Sequence, residues 1–245
     1  MRRMTSHSFN YALKKIIKIK PPQCILDVQG CGSVYCSEDI AEDEVFLSVP
    51  SSPLVLTEAI ARDSLPPSAH ALDGRTVFIL FLIQQSLLKE KSFYHPYLDM
   101  IPERIYTALD FDERDMEQLR GTNAFLVVQE RKSDLRQKYE KTMGIVGEDL
   151  RKEQGYTWER FLWAETVLSS RAFPATLFGG GAEGEIVLIP LGDMLNHKGR
   201  QKLTWMKTPQ GLEMSGSAVS KGNQVFNNYG PKSNEECRHI SCSMP

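Results

Sequence analysis

The sequence lacks any apolar run long enough to suggest a membrane-spanning helix. The most apolar stretch, TVFILFLIQQSLL, is interrupted by Gln84 and Gln85 after seven apolar residues, whereas a spanning helix needs roughly 20. We therefore predict a buried helix at this stretch and no membrane partner for the chain.

Acidic residues are absent from the first 22 positions, and so is the apolar run that signal peptides contain. This segment does carry apolar residues at roughly helical spacing, namely Phe9, Leu13, Ile16 and Ile17. We expect a short docking helix here, with a mitochondrial targeting segment as the alternative.

Cysteines are few and net charge is low. The five cysteines are an odd number at irregular spacing, which opposes a disulfide framework and favours a reducing compartment. We expect an intracellular chain, in the cytoplasm, the nucleus or both.

The formal net charge is -2, whereas nucleic-acid-binding domains usually carry a basic excess. We therefore expect no direct nucleic-acid partner.

Motifs of nucleotide-binding proteins and hydrolases are also missing. There is no P-loop, no HExxH, no GxSxG and no GxGxxG that opens a helix. The segment GCGS follows a strand-like run, but strand-like sequence also follows it. No helix N-terminus is then available for a pyrophosphate.

What the chain does contain is a change of periodicity along its 245 residues, of which 41% are hydrophobic and 24% charged. Short strand-like runs occupy residues 24 to about 56, helical patterns occupy about 57–170, and short strands return from residue 184. Asp73 and Thr157 are placed to begin helices. Because no Pro/Gly/Ser-rich linker separates these regions, we predict one β domain with a large helical insertion.

The densest group of polar residues in apolar surroundings is IPLGDMLNHKGR. Asp193, Asn196 and His197 follow a predicted strand within five residues, and Asp193 and His197 share a face if the segment is helical. A helix cap with a satisfied histidine is one interpretation, and a ligand site built from amide and backbone groups is the other. Nearby, Arg171 in SSRAF is either a partner of a helix C-terminus or a ligand contact, and Tyr229 in FNNYGPKSNEE lies in a turn or in a site.

Taken in order, four segments resemble a SET-domain protein: GCGSVYCSEDIAEDEVFLSVP, SSRAF, IPLGDMLNH and VFNNYGPKSNEE. The resemblance is to the class that includes the Rubisco large-subunit methyltransferase, the ribosomal-protein lysine methyltransferases and the actin histidine methyltransferase. The stretch SFYHPYLDMIPERIYTALDFDERDMEQLRGTN resembles the helical insertion of that class. The match covers about residues 8–236.

This resemblance implies an α+β fold of the SET type, with several short antiparallel sheets and a large helical insertion. It also implies S-adenosylmethionine-dependent methyl transfer to a lysine side chain of a non-histone protein, ribosomal or other, by a monomeric enzyme. A histidine acceptor is the alternative within the class. In such a reaction a lysine amine with a pKa of about 10.4 must be presented neutral, which costs roughly 4 to 5 kcal/mol at pH 7. Burial and the sulfonium charge lower that pKa, and positioning then supplies much of the acceleration without a metal.

The resemblance assigns functional positions of the family to individual residues of this sequence. By the resemblance, backbone groups of Gln29, Gly30 and Cys31 hold the methionyl part of the cofactor, although family members commonly have Gly-Arg-Gly or Gly-Leu-Gly there. Arg171 matches the arginine that lies between the cofactor and substrate sites.

The remaining matches lie in the second half of the chain. Asn196 and His197 match the pair that grips the cofactor, and Asp193 matches an acidic position on the substrate side. Tyr229 matches the catalytic tyrosine whose hydroxyl faces the transferred methyl group.

The family pattern ends after Glu236. Family members continue with a Tyr-Gly-Phe motif and a C-terminal substrate-binding domain, whereas this sequence continues with CRHISCSMP. We therefore predict a SET domain over 1–236 with the insertion at about 57–170, a tail over 237–245 outside the family pattern, and no C-terminal domain. A catalytically inactive fragment that acts as a binding module is the alternative function. Cys237, His239 and Cys242 make only three ligands where a structural zinc site usually has four, so we expect no metal.

Overall fold

The computed structural model describes residues 33–51, 54–147, 155–178 and 181–230, together with the backbone of 24–27. The expected docking helix at the N-terminus and the tail over 237–245 lie outside these residues. The described chain forms two compact units. The first contains its residues up to 58, 93–100 and 171–230, and the second contains 59–92 and 101–170. The predicted domain boundaries stay a prediction.

Nine strands, all in the first unit, build three small sheets from the described residues. A four-stranded sheet has the order β1-β2-β9-β6, a three-stranded sheet has the order β3-β8-β7, and β4 pairs with β5. Every pair is antiparallel except β6 with β9, which is parallel. The strands are β1 Cys24–Asp27, β2 Ser33–Cys36, β3 Val45–Pro50, β4 Phe173–Pro174, β5 Ile186–Val187, β6 Asn196–His197, β7 Leu203–Lys207, β8 Gly211–Gly216 and β9 Gln224–Asn227.

The run SSPLVL, grouped with the strands in the sequence, forms only one isolated bridge among the described residues, between Leu56 and Leu188. Leu54, Val55 and Leu56 are at most 3% exposed. A strand with one solvated face would alternate between buried and exposed side chains. Three consecutive buried residues instead lie in the core of the first unit as an irregular segment.

Six α-helices are described, and the second unit contains most of them. They are α1 Glu58–Ser64, α2 Gly74–Leu88, α3 His95–Leu98, α4 Glu113–Gln118, α5 Asn123–Val146 and α6 Trp158–Arg171. Short 3-10 turns lie at Pro67–Ala71, Lys89–Lys91, Ala108–Asp110, Ala175–Phe178 and Gly192–Met194.

Helix α2 is the core of the second unit. The residues 77–83 are at most 2% exposed, which confirms the predicted buried helix. Its start is also confirmed, because the Asp73 side chain accepts a hydrogen bond from the Thr76 backbone at 3.1 Å. In α6, the Arg160 backbone N–H donates to the Thr157 hydroxyl at 3.4 Å, as predicted for that cap. No helix among the described residues is long and apolar enough to cross a membrane.

Three helices of the second unit share one buried carboxylate. Glu165 of α6 is 4% exposed and accepts two hydrogen bonds at 2.8 Å from the guanidinium of Arg75 in α2. Arg131 of α5 lies 3.4 Å from the same carboxylate. Both arginines and the Glu165 carboxylate also bond the Ser169 hydroxyl. A buried charge requires such partners, because its own hydration is lost.

We expect Glu165→Gln to lower the free energy of unfolding by about 2 kcal/mol, since two arginines lose their common counter-charge. This value is below that of a fully buried pair because the side chains of Arg75 and Arg131 are 34% and 37% exposed. Glu140→Gln is the matched control, since Glu140 pairs with Arg136 at the surface and its loss should change stability by less than about 0.5 kcal/mol. Urea denaturation measures both, and equal effects would contradict the assigned role.

Candidate active site

The candidate site is centred on Asp193, whose side chain has no exposed surface. The hydroxyl of Tyr97 donates to Asp193 Oδ2 at 2.8 Å. Arg171 Nη1 lies 3.2 Å from the same oxygen and 3.2 Å from the Asp193 backbone carbonyl. Three segments that are distant in sequence therefore meet at one carboxylate.

Burial governs the protonation of this group. It raises the pKa of Asp193, an effect that the charge of Arg171 and the hydrogen bonds from Tyr97 and Arg171 partly offset. For Arg171, burial is the largest single effect and lowers the pKa, but the charge and hydrogen bond of Asp193 together with Tyr97 and Tyr229 outweigh it, so the pKa is raised overall. Burial, followed by the charge of Asp193, holds the pKa of Tyr97 well above its usual value. Tyr97 is thus a neutral hydrogen-bond donor, and Arg171 stays charged.

Two atoms of the ion pair have no hydrogen-bond partner among the described residues. They are Arg171 Nε and Asp193 Oδ1, and both are buried. Arg171 Nη1 also lies 3.4 Å from the sulfur of Met194. The guanidinium that ends α6 is therefore directed at Asp193 and its neighbour.

The segment IPLGDMLNH is not one continuous helix, which corrects the helical alternative considered for it. Leu191 has φ of 73°, a conformation that interrupts regular structure before the 3-10 turn. Asn196 and His197 then form β6, which pairs with Phe226 and Asn227 of β9. Successive side chains of a strand point to opposite faces. Asp193 and His197 consequently do not share a helix face.

The two residues of β6 have different partners. Asn196 Nδ2 donates to the hydroxyl of Ser33 in β2 at 2.9 Å. His197 Nδ1 accepts the backbone N–H of Tyr229 at 3.0 Å, so the proton of the neutral imidazole is on Nε2. The His197 and Tyr229 rings are stacked, with centroids 5.1 Å apart and an interplanar angle of 26°.

Tyr229 is oriented by its hydroxyl as well as by its backbone. The hydroxyl donates to the Leu195 carbonyl at 2.7 Å. Because this bond uses the phenolic proton, the oxygen has lone pairs directed elsewhere and acts as an acceptor. The backbone bond to His197 and the hydroxyl bond to Leu195 together fix the direction of that acceptor.

No protein-family model matches the chain. Ribosomal lysine N-methyltransferase set10 of Schizosaccharomyces pombe is 33% identical over 220 residues, which are 86% of this chain and 40% of that protein. The chloroplastic [fructose-bisphosphate aldolase]-lysine N-methyltransferase of Arabidopsis thaliana is 31% identical over 172 residues, 69% of this chain and 34% of that protein. Actin-histidine N-methyltransferase of Mus musculus is 24% identical over 85% of this chain and 36% of that protein. The chain thus spans about 40% or less of these relatives.

Comparison with solved structures identifies the fold. The SET domain of LSMT bound to lysine and AdoHcy superimposes with a TM-score of 0.80 at 21% identity, covering 96% of this chain and 56% of that one. Rubisco LSMT bound to AdoMet also gives 0.80, at 22% identity, with 98% and 56% covered. The chain has the SET-domain fold. This confirms the predicted α+β fold class and the resemblance from which it was inferred.

Within this SET fold, five of the predicted site residues lie in the first unit with described contacts, namely Arg171, Asp193, Asn196, His197 and Tyr229. The other three, Gln29, Gly30 and Cys31, lie outside the described residues. Their predicted cofactor contacts, and the roles assigned to all eight residues, stay predictions. Among the described residues, no cluster of His, Cys, Asp and Glu is suited to a metal, and Cys237, His239 and Cys242 also lie outside them.

Sequence reasoning missed Tyr97 and the Leu195 carbonyl. The segment HPYL belongs to the stretch that resembles the SET-class insertion, but nothing in that stretch connects its tyrosine with the site. A tyrosine between Pro96 and Leu98 signals only a short helical turn. Its partner, Asp193, is 96 positions away, so the hydrogen bond has no local signature.

We expect Tyr97→Phe to reduce the free energy of unfolding by about 2 kcal/mol when Asp193 is ionised, because a hydrogen bond to a buried charge is lost. The Tyr97 hydroxyl lowers the pKa of Asp193, so its removal raises that pKa further. The native state of the variant then binds a proton more readily, and the difference from the wild type shrinks as pH falls through the folded-state pKa of Asp193.

Urea denaturation over a pH series measures this difference, with Tyr35→Phe in β2 as the matched control. The control should show a small, pH-independent effect. A Tyr97→Phe penalty that stays constant as pH falls would contradict the assigned hydrogen bond to an ionised Asp193.

Proposed function

We propose that this chain transfers a methyl group from S-adenosylmethionine to a lysine side chain of a non-histone protein. The observation that carries the proposal is the fixed acceptor at Tyr229, whose hydroxyl is bound to the Leu195 carbonyl at 2.7 Å and whose backbone is bound to His197. A tyrosine oxygen and backbone carbonyls held in place suit a reaction that depends on orientation.

The described residues fit a sulfonium cofactor by their chemistry. Asn196 and His197 offer an amide and an imidazole near Tyr229, and these would hydrogen-bond the polar groups of the cofactor without placing a further positive charge beside its sulfonium. When bound, S-adenosylmethionine supplies an electrophilic methyl group. The solved neighbours support this choice, because they are described as bound to AdoMet, to AdoHcy with lysine, and to sinefungin with monomethyllysine.

The ion pair of Arg171 and Asp193 affects whether the acceptor lysine is held in its protonated form. A lone buried carboxylate would stabilise an ammonium group and keep the lysine protonated. The carboxylate of Asp193 is already compensated by Arg171, so the site does not retain the ammonium form in this way. An amine that has released its proton to solvent would have an available lone pair, and the Tyr229 oxygen would orient the methyl group of a bound cofactor through weak CH···O contacts.

Lysine is preferred as the acceptor because the relatives of at least 31% identity described above are named lysine N-methyltransferases. The actin-histidine N-methyltransferase relatives are more distant, at 24% identity, so histidine is the alternative acceptor. We further propose a protein partner, a monomeric state, and a location in the cytoplasm, the nucleus or both. Irregular cysteine spacing supports the location, and a net charge of -2 opposes a direct nucleic-acid partner.

Two measurements test the reaction. Titration calorimetry should show binding of S-adenosylmethionine, and radiolabelled cofactor should transfer a methyl group to protein bands of a cell lysate. We expect Tyr229→Phe to lower the transfer rate about 10- to 100-fold, since the orientation of the methyl group is lost, and to leave cofactor binding within a few-fold. Tyr35→Phe removes a hydroxyl from a half-buried tyrosine of β2 and should not reduce transfer.

The outcomes separate the alternatives. Absence of cofactor binding would contradict the proposal altogether. Cofactor binding without any labelled band would favour a binding module. Mass spectrometry of a labelled protein then identifies the modified residue, and a methylated histidine in place of lysine would replace the proposed acceptor.

A further inference from the structure

A cavity of about 380 Å³ lies wholly within the second unit, between α6 and the segment 101–110. Its apolar wall consists of Ile105, Leu162 and the indoles of Trp158 and Trp163. This volume is at the lower end of the range for ligand sites, about 300 to 1,000 Å³. It suits one long side chain better than a large cofactor.

Two hydrogen bonds of lining residues stabilise this wall, and neither of them involves a carboxylate of the cavity. The indole N–H of Trp163 donates to the Pro102 carbonyl at 3.0 Å, which fixes the segment 101–110 against α6. Within α6, the hydroxyl of the lining residue Thr166 donates to the Leu162 carbonyl at 2.8 Å. The shape of the cavity is therefore maintained by the fold of this unit.

The charged lining is predominantly acidic. Glu103, Asp110 and Glu159 contribute three carboxylates, and Arg104 contributes the single guanidinium. Arg104 donates to Asp110 at 3.3 Å, and its side chain is 69% exposed. Arg104 thus compensates one of the three carboxylates, that of Asp110, and the lining contains no second cation for the carboxylates of Glu103 and Glu159. The pKa of Glu159 is lowered by a backbone hydrogen bond and by the Thr157 hydroxyl, which keeps it charged.

Two further arginines lie close enough to act on Glu159, namely Arg136 and Arg160. Each has another partner. Arg136 pairs with Glu140 at 3.0 Å, and Arg160 donates to the Gly155 carbonyl at 2.8 Å. Neither guanidinium lines the cavity.

Two aromatic rings have a guanidinium group of this chain as a neighbour, namely Trp158 of the lining and Tyr106, which follows the lining residue Ile105 in sequence. The guanidinium of Arg136 lies 5.0 Å from the centre of the Trp158 ring, and that of Arg104 lies 5.1 Å from the Tyr106 ring. Such distances are within the range of favourable cation–π contacts. An aliphatic stem can therefore pack on Ile105, Leu162 and the indoles while its cationic head reaches a carboxylate.

We propose that this cavity binds a lysine or arginine side chain from a basic segment of the protein partner, as a docking contact separate from the residues of methyl transfer. The identity of that partner as the methyl acceptor rests on the function proposed above. The cation site itself follows from the aromatic wall and the excess of carboxylates alone.

A capped tetra-lysine peptide is the probe, and the same peptide with every Nε acetylated is its uncharged control. The three tryptophans each give one indole N–H resonance in a ¹⁵N-labelled sample. We expect tetra-lysine to shift the resonances of Trp158 and Trp163 and to leave that of Trp205 in β7 unchanged. Glu103→Gln combined with Glu159→Gln should weaken binding about fivefold or more, because partly exposed charge pairs are individually modest.

The matched control is Glu130→Gln combined with Asp134→Asn, which removes the same charge from exposed positions of α5 outside the cavity lining and should leave binding within twofold. Equal binding of the acetylated peptide would overturn the proposal, as would an unchanged affinity of the Glu103/Glu159 variant or an equal shift of Trp205.

S-adenosylmethionine binding by the Glu103/Glu159 variant should equal that of the wild type. Where a protein substrate is methylated, KM should rise in this variant while kcat is retained. If the wild type binds tetra-lysine at these indoles but does not bind S-adenosylmethionine, the methyltransferase proposal fails and the cation site stands.

Discussion

A carboxylate with no access to water must be compensated by the protein itself, and in the first unit this constraint falls on Asp193. Its side chain is completely buried, so the lost hydration has to be replaced by charge and hydrogen bonds. Arg171 supplies the charge and Tyr97 supplies a neutral donor. The turn that carries Asp193 leads directly into β6, so the same contacts hold the strand that contains Asn196 and His197.

The second unit also contains a buried carboxylate, but the charges around it do not cancel. Glu165 is shared by two arginines, so that cluster has an excess positive charge, whereas the Asp193 and Arg171 pair is neutral. The excess is tolerated because both arginines keep about a third of their side-chain surface in water. The nearly buried Asp193 and Arg171 pair has no net charge, whereas the cluster with a net charge keeps its arginines partly in water. Each arrangement limits the cost of removing charge from water.

Features that depend on neighbouring residues were predictable from the sequence. The caps at Asp73 and Thr157, the buried helix α2 and most strands follow from local patterns. The fold class followed from four segments taken in order, none of which was specific alone. The site residues themselves were named from the same order.

Features that depend on distant contacts could not be predicted in this way. The hydrogen bond from Tyr97 to Asp193 joins residues 96 positions apart. The positive φ of Leu191 is not predictable from residue type, because glycine is the residue that usually adopts such a conformation. The irregular segment at Leu54 resembles a strand in composition, and its burial is decided by tertiary packing. In each case the partner that determines the conformation is remote in the sequence.

The single parallel strand pair among the described residues has a consequence for how this fold can vary. Asn196 and His197 lie beside Phe226 and Asn227, and Tyr229 follows two positions later. The hairpin of β7 and β8, which lies between these strands in sequence, belongs to another sheet. Strand register, and not the length of the intervening chain, therefore sets the spacing between the histidine and the tyrosine. Insertions in the hairpin can accumulate without altering that spacing, whereas a one-residue shift of β9 would turn its side chains to the opposite face.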